Sequence, residues 1–191
     1  MPRRKNPITP GVIYHFTNQG HNRSDIYVEP HGFERFMDGL LSKIIGPQAA
    51  TLLAYALMPN HYHLLIDVKT EDFRELFRGF LISYSKSFNI RNERVGSLCR
   101  GRYSAERVAD DAYLRTVSRY IHINPVKDGY VERPEEWPYS SYGDYVGINA
   151  QGLAAPERVL TLFGDVTTTR GLAACRRAYK RFVGDWRRSR D

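Results

Sequence analysis

The stretch Met58-Pro59-Asn60-His61-Tyr62-His63-Leu64-Leu65-Ile66-Asp67 sets the frame for the whole chain. Pro59-Asn60 is a turn signal, and the residues after it read as a short strand. The apolar run Thr51 to Met58 just before it predicts a second strand, so the two form an antiparallel pair. Side chains alternate across a strand, which puts His61 and His63 on one face and Tyr62 on the other. Two imidazoles held side by side by the strand period make half of a metal site.

Outward from this pair the chain punctuates itself. Met1 to Pro10 is a basic arm with Arg3, Arg4 and Lys5, and Gly11 to Thr17 alternates as a first strand. His15 shares a face with Ile13 and reads as a packed strand histidine rather than a ligand. A polar loop follows at 18–25, then helical spacing from Pro30 to Ile45 that Gly46-Pro47 stops. After the central pair come an amphipathic helix from Asp72 to Asn89 and a strand expected over Ser97 to Val108. The order strand, helix, strand, strand, helix, strand is a split β-α-β arrangement. The expected class is therefore α+β and ferredoxin-like, one antiparallel sheet backed by two helices, its other face turned to solvent or to a partner. A further helix runs from Asp111 to Asn124, with an acidic cap ahead of it and Pro125 as its stop. Residues 11–145 thus form one domain, and 146–191 a linker and a small helical tail.

Of 191 residues 42% are hydrophobic and 13% aromatic, enough for a folded core. No apolar run is long enough for a membrane span and no signal arrangement opens the chain, so the expectation is a cytoplasmic protein. Cys99 and Cys175 are too few for a disulfide framework. A net charge of +7 and a pI near 9.5 favour a polyanionic partner, since Lys and Arg neutralise phosphates and release counterions.

Tyr120 and Asn124 are four residues apart on the last of these helices and so share one face. Asn124 offers a neutral oxygen to complete a hard-cation site, for Mg2+ or Mn2+, with the two imidazoles. Tyr120 puts a phenol beside it. A phenol that attacks a phosphodiester stores the bond as a 5′-phosphotyrosine, which a free 3′-hydroxyl can later reverse.

Tyr14-His15-Phe16-Thr17, Asn22-Arg23, Leu57 to Leu65, Gly101-Arg102-Tyr103, Arg119 to Val126 and Trp137-Pro138-Tyr139-Ser140-Ser141-Tyr142 together resemble the REP-associated tyrosine transposases. These are domesticated relatives of the single-tyrosine HUH transposases of the IS200-like group. The resemblance implies that His61 and His63 are metal ligands, Tyr120 the nucleophile and Asn124 a polar third ligand. It implies metal-dependent cleavage and rejoining of single-stranded DNA at REP hairpins flanked by a short tetranucleotide, at the nucleoid, by a monomer as in the palindrome-associated branch or a dimer as in the insertion-sequence relatives. It also implies that sheet and loops bind the hairpin foot and unpaired bases, for which Arg3, Arg4, Asn22, Arg23, Arg78, Arg100 and Arg102 are the expected contacts. Two other readings stand beside it: a hairpin-binding protein that does not cut, and a metal-dependent nuclease that uses water.

Overall fold

The computed structural model of the chain describes residues 7–148 and 152–186. The central pair is present as β2 (Ala50–Met58) and β3 (His61–Val68), in register from Met58↔His61 upward, so Pro59 and Asn60 alone make the turn. β1 (Ile13–Gln19) pairs with the other edge of β3, placing Thr17 opposite His63, and β4 (Ser104–Arg107) adds to the far side of β1. The sheet order is β2-β3-β1-β4, all antiparallel. The expected α+β arrangement is what the chain adopts.

One face is covered by α1 (Glu29–Leu40) and α2 (Phe73–Arg91), as expected. Phe36 and Leu40 of the first helix, and Phe73, Phe77 and Phe80 of the second, pack on Phe16, Tyr62, Leu64 and Tyr55 of the strands. These nine buried side chains remove enough apolar surface from water to fix the helices on the sheet, at about 1.5–3 kcal/mol each.

The second face departs from expectation. Among the described residues it is open over β1 and β4, and over β2 and β3 it is roofed by α3 (Asp111–Lys127), α4 (Tyr142–Val146), α5 (Glu157–Leu160) and α6 (Thr169–Gly184). A bulge between Leu52 and Ala54 sends Leu53 and Ala54 together into this second core, where they meet Leu114, Val117 and Ile121 of α3 and Tyr179 and Val183 of α6. A strand that is apolar on both sides needs cover on both sides, and the tail helices supply it. The outer edge of β2 is also answered: Leu57 N–H donates to Tyr139 O at 2.9 Å, and Ala155 N–H to Leu52 O at 2.8 Å.

Three boundaries move. The strand expected from Ser97 shrinks to Ser104–Arg107, because the chain turns at Gly101, whose φ of 116° suits glycine alone. The helix expected to reach Ile45 is α-helical to Leu40 and then widens into a π turn. Pro125 does not stop α3, which runs on to Lys127 and closes where Gly129 takes a φ of 79°. Proline loses only one donor so near a helix end, and Tyr130 N–H caps its carbonyl at 2.9 Å. Among the described residues no helix is long and apolar enough to cross a membrane.

Candidate active site

β3 aims Tyr62 into the first core, where its ring meets Phe36 at 5.3 Å, and thereby turns His61 and His63 to the other face. Asn60 holds His61: its amide donates to Arg23 O at 3.3 Å, and its oxygen then accepts from His61 Nδ1 at 2.7 Å. A neutral His61 therefore carries its proton on Nδ1 and presents a lone pair at Nε2. Nε2 lies 3.0 Å from Asn124 Oδ1, and 3.8 Å from Asp128 Oδ2. Two acceptors at that distance call for a proton or a cation between them.

His63 is buried at 6% exposure, stacked on His15 with centroids 5.1 Å apart and with His63 Nδ1 3.0 Å from His15 Nε2. Burial holds His63 well below the ordinary imidazole range, and the proximity of His15, His61 and Lys127, each of which would repel a second positive charge when protonated, acts in the same direction. Burial likewise pushes His15 down to about 4, partly offset by Glu106. Both rings are neutral at pH 7.

α3 starts under the cap of Asp110, whose carboxylate accepts from Tyr113 N–H at 2.8 Å, and its i, i+4 spacing brings Tyr120 and Asn124 to the same strand. The Tyr120 ring stands edge-on to His63 at 5.3 Å and 6.2 Å from His15, with Lys127 Nζ 5.1 Å from its centroid. The phenol is half-buried rather than sunk in apolar packing, and it borders a cleft of about 450 Å³ lined by His15, Thr17, His63, Glu106 and Tyr113. So the four residues expected at the site, His61, His63, Tyr120 and Asn124, do converge, all from one chain.

Whether a divalent cation suits this donor set can be judged from its chemistry. The 3.0 Å separation of His61 Nε2 and Asn124 Oδ1 equals an edge of an octahedron with bonds of about 2.1 Å. Among the described residues no three histidine, cysteine or carboxylate side chains form a cage, so the amide oxygen is what makes the set sufficient. Asn124 is 2% exposed, and a buried amide oxygen needs a partner. The donors fit.

The residues expected to hold DNA separate into two places. Asn22, Arg23 and Arg100 line a hollow of about 380 Å³ with Gln19 and His21, at the end of β1. Arg78 and Arg102 join Arg74 at a cavity of about 530 Å³ between α2 and the 96–103 segment, on the face of the sheet away from Tyr120. Arg3 and Arg4 lie outside the described residues. Sequence reasoning missed Lys127 and Asp128, hidden by reading Pro125 as a stop; continuing the helix would have put them seven and eight residues past Tyr120. It also missed the contact between His15 and His63, which depends on strand register.

With this geometry in place, likeness to known proteins becomes informative. Residues 9–124 match the family model described as Transposase IS200 like, and the chain belongs to that family. The matched segment ends on Asn124 and so takes in every residue of the convergent site. Within the family, the resemblance to the REP-associated tyrosine transposases holds. A Haemophilus influenzae protein described by that name is 26% identical over 153 residues, covering 74% of this chain and 86% of the relative. An Escherichia coli K12 protein of the same name is 24% identical over 91 residues, 47% of this chain and 52% of that protein. The solved structure of a REP-associated tyrosine transposase bound to a REP hairpin shares the fold, with a TM-score of 0.63 at 22% identity over 90% of this chain and 97% of that one.

Proposed function

We propose that this chain nicks and rejoins single-stranded DNA beside REP-type hairpins, with Tyr120 as nucleophile and Mg2+ or Mn2+ held by His61, His63 and Asn124. The observation that carries the reading is the approach of Tyr120, at 5.3 Å between rings, to His63, which stands 5.1 Å from the His61 ring whose Nε2 lies 3.0 Å from Asn124 Oδ1. The phenolic oxygen bonds to phosphorus, the P–O3′ bond breaks, and the departing 3′-oxygen takes up the proton that the phenol gives up. A second 3′-hydroxyl runs the step backwards and joins strands. A cation held by His61, His63 and Asn124 would supply positive charge that offsets the charge gathering on the phosphate.

The chain's own groups do the rest. Lys127 keeps a fixed positive charge over the phenol ring, where a phosphate must approach. The half-buried setting of Tyr120 leaves the ring edge reachable from the cleft. Hairpin DNA as the partner is supported by the net charge of +7, by the arginine-lined hollows, and by the family. Because one chain provides every group, a monomer suffices.

The test is incubation of a labelled REP-type hairpin oligonucleotide with the protein and, in separate arms, Mg2+ or Mn2+, followed by a denaturing gel. Wild type should give a covalent adduct and Tyr120→Phe none. Cleavage by Tyr120→Phe would mean that water is the nucleophile. Tight binding without cutting in either metal would leave a hairpin-recognition protein.

A further inference from the structure

We infer that His15 is a positioning residue: it accepts the Nδ1 proton of His63 and so keeps the opposite ring nitrogen of His63 free as a ligand. The inference rests on the reading of His61, His63 and Asn124 as cation donors. Thr17 sits opposite His63 and His15 opposite Leu65, so His15 is the diagonal neighbour of His63 on the cleft face of the sheet. The contact is 3.0 Å, within a buried stack tilted by 24°. Two neutral imidazoles share one proton in such a contact, and its owner decides the chemistry. If His15 donates from Nε2, the proton of His63 sits on Nε2 and that ring cannot ligate. If His63 donates from Nδ1, its Nε2 lone pair is exposed toward the site.

The far side of His15 favours the second arrangement. Glu106 is directly across from His15 on β4, and Tyr113 Oη donates to Glu106 Oε1 at 2.7 Å, which steadies the carboxylate. An acidic neighbour on that side favours a His15 proton on Nδ1, the nitrogen not engaged with His63, and leaves Nε2 as the acceptor. Tyr113, Glu106, His15 and His63 thus form a row across α3, β4, β1 and β3 that ends at the site. A histidine ligand is ordinarily oriented by a carboxylate or carbonyl. Here a second imidazole does that work, with the carboxylate one step further out.

The experiment uses the full chain, 15N-labelled at histidine, with two readouts. Long-range imidazole correlations without metal report the His63 tautomer, and the free-ion signal of Mn2+ reports cation affinity. Wild type should show His63 protonated on Nδ1. His15→Phe, which keeps a ring but no acceptor, should shift His63 to the Nε2 tautomer and weaken Mn2+ binding by about 10–100-fold. His15→Gln, whose side-chain oxygen can accept, should recover both to within a few-fold. The exposed change Glu106→Gln gives a second handle that leaves the sheet packing alone, with an expected partial move toward the Nε2 tautomer. The inference is overturned if wild-type His63 carries its proton on Nε2, or if His15→Phe keeps the Nδ1 tautomer and full Mn2+ affinity. It is equally overturned if His15→Gln does no better than His15→Phe at matched melting temperatures. A wild type that takes up no Mn2+ yet shows the Nδ1 tautomer would overturn the cation reading and uphold the His15–His63 assignment.

Discussion

Two histidine clusters lie side by side along α3, and they differ in where their lone pairs go. His122 is fully buried: Nδ1 meets Tyr179 Oη at 2.7 Å, Nε2 meets Ser141 Oγ at 2.8 Å, and Tyr55 N–H donates to that same serine oxygen at 2.8 Å. Every ring nitrogen is satisfied from within the chain. The cluster ties α6, α3, the segment before α4 and β2 into one unit, and burial pushes His122 down to about 3. The other cluster, His61 and His63 beside Tyr120 and Asn124, has all its elements in place yet leaves acceptors facing one another and a cleft alongside. The lesson is that burial alone does not mark a histidine as structural; completion of its hydrogen bonds does.

The sharpest way to break this contrast is to change one cluster and see which property fails. Tyr120→Phe should remove the covalent DNA adduct entirely on a denaturing gel, while thermal unfolding stays within about 0.5 kcal/mol of wild type, since among the described residues its hydroxyl makes no hydrogen bond. His122→Ala should do the opposite, costing about 3 kcal/mol in urea unfolding, because it opens a cavity and takes a hydrogen bond from each of two buried hydroxyls, Tyr179 and Ser141. Acid should act through the same residue. Its folded-state pKa lies below the unfolded value, so the unfolded chain binds the extra proton and stability falls as pH drops from about 6.5 toward about 3. His122→Gln should flatten that slope by up to about 1.4 kcal/mol per pH unit, read from melts at several pH values. The smallest effect expected is from Lys127→Ala, a few-fold slower adduct formation that narrows further at high salt, because the ammonium is exposed.

Local patterns carried much of this. His61 and His63 were readable from a period of two and Tyr120 with Asn124 from a period of four, because each pair sits inside one regular element. The sheet followed from the order of elements and the tight turn at Pro59-Asn60. What could not be read depends on long-range pairing. Nothing in the spacing of Leu172, Cys175 and Tyr179 says that they roof β2, and nothing near His15 says that register brings it against His63. Pro125 misled because its helix-breaking rule is strong in helix interiors and weak in a last turn. The arginines were legible as a charge, but their division between the hollow at the end of β1 and the cavity beside α2 is set by the turns at Gly101 and in the 21–24 segment.

The grip of α6 on α3 bears on the order in which the molecule becomes competent during synthesis. α3 leaves the ribosome some forty residues before Thr169–Gly184. Until that last helix arrives, Tyr179 is missing from His122 and Phe182 from beneath Arg119, whose guanidinium carbon sits 4.5 Å from its ring centroid. A chain truncated before that point carries His61, His63, Tyr120 and Asn124 but lacks the brace that fixes α3 over the sheet.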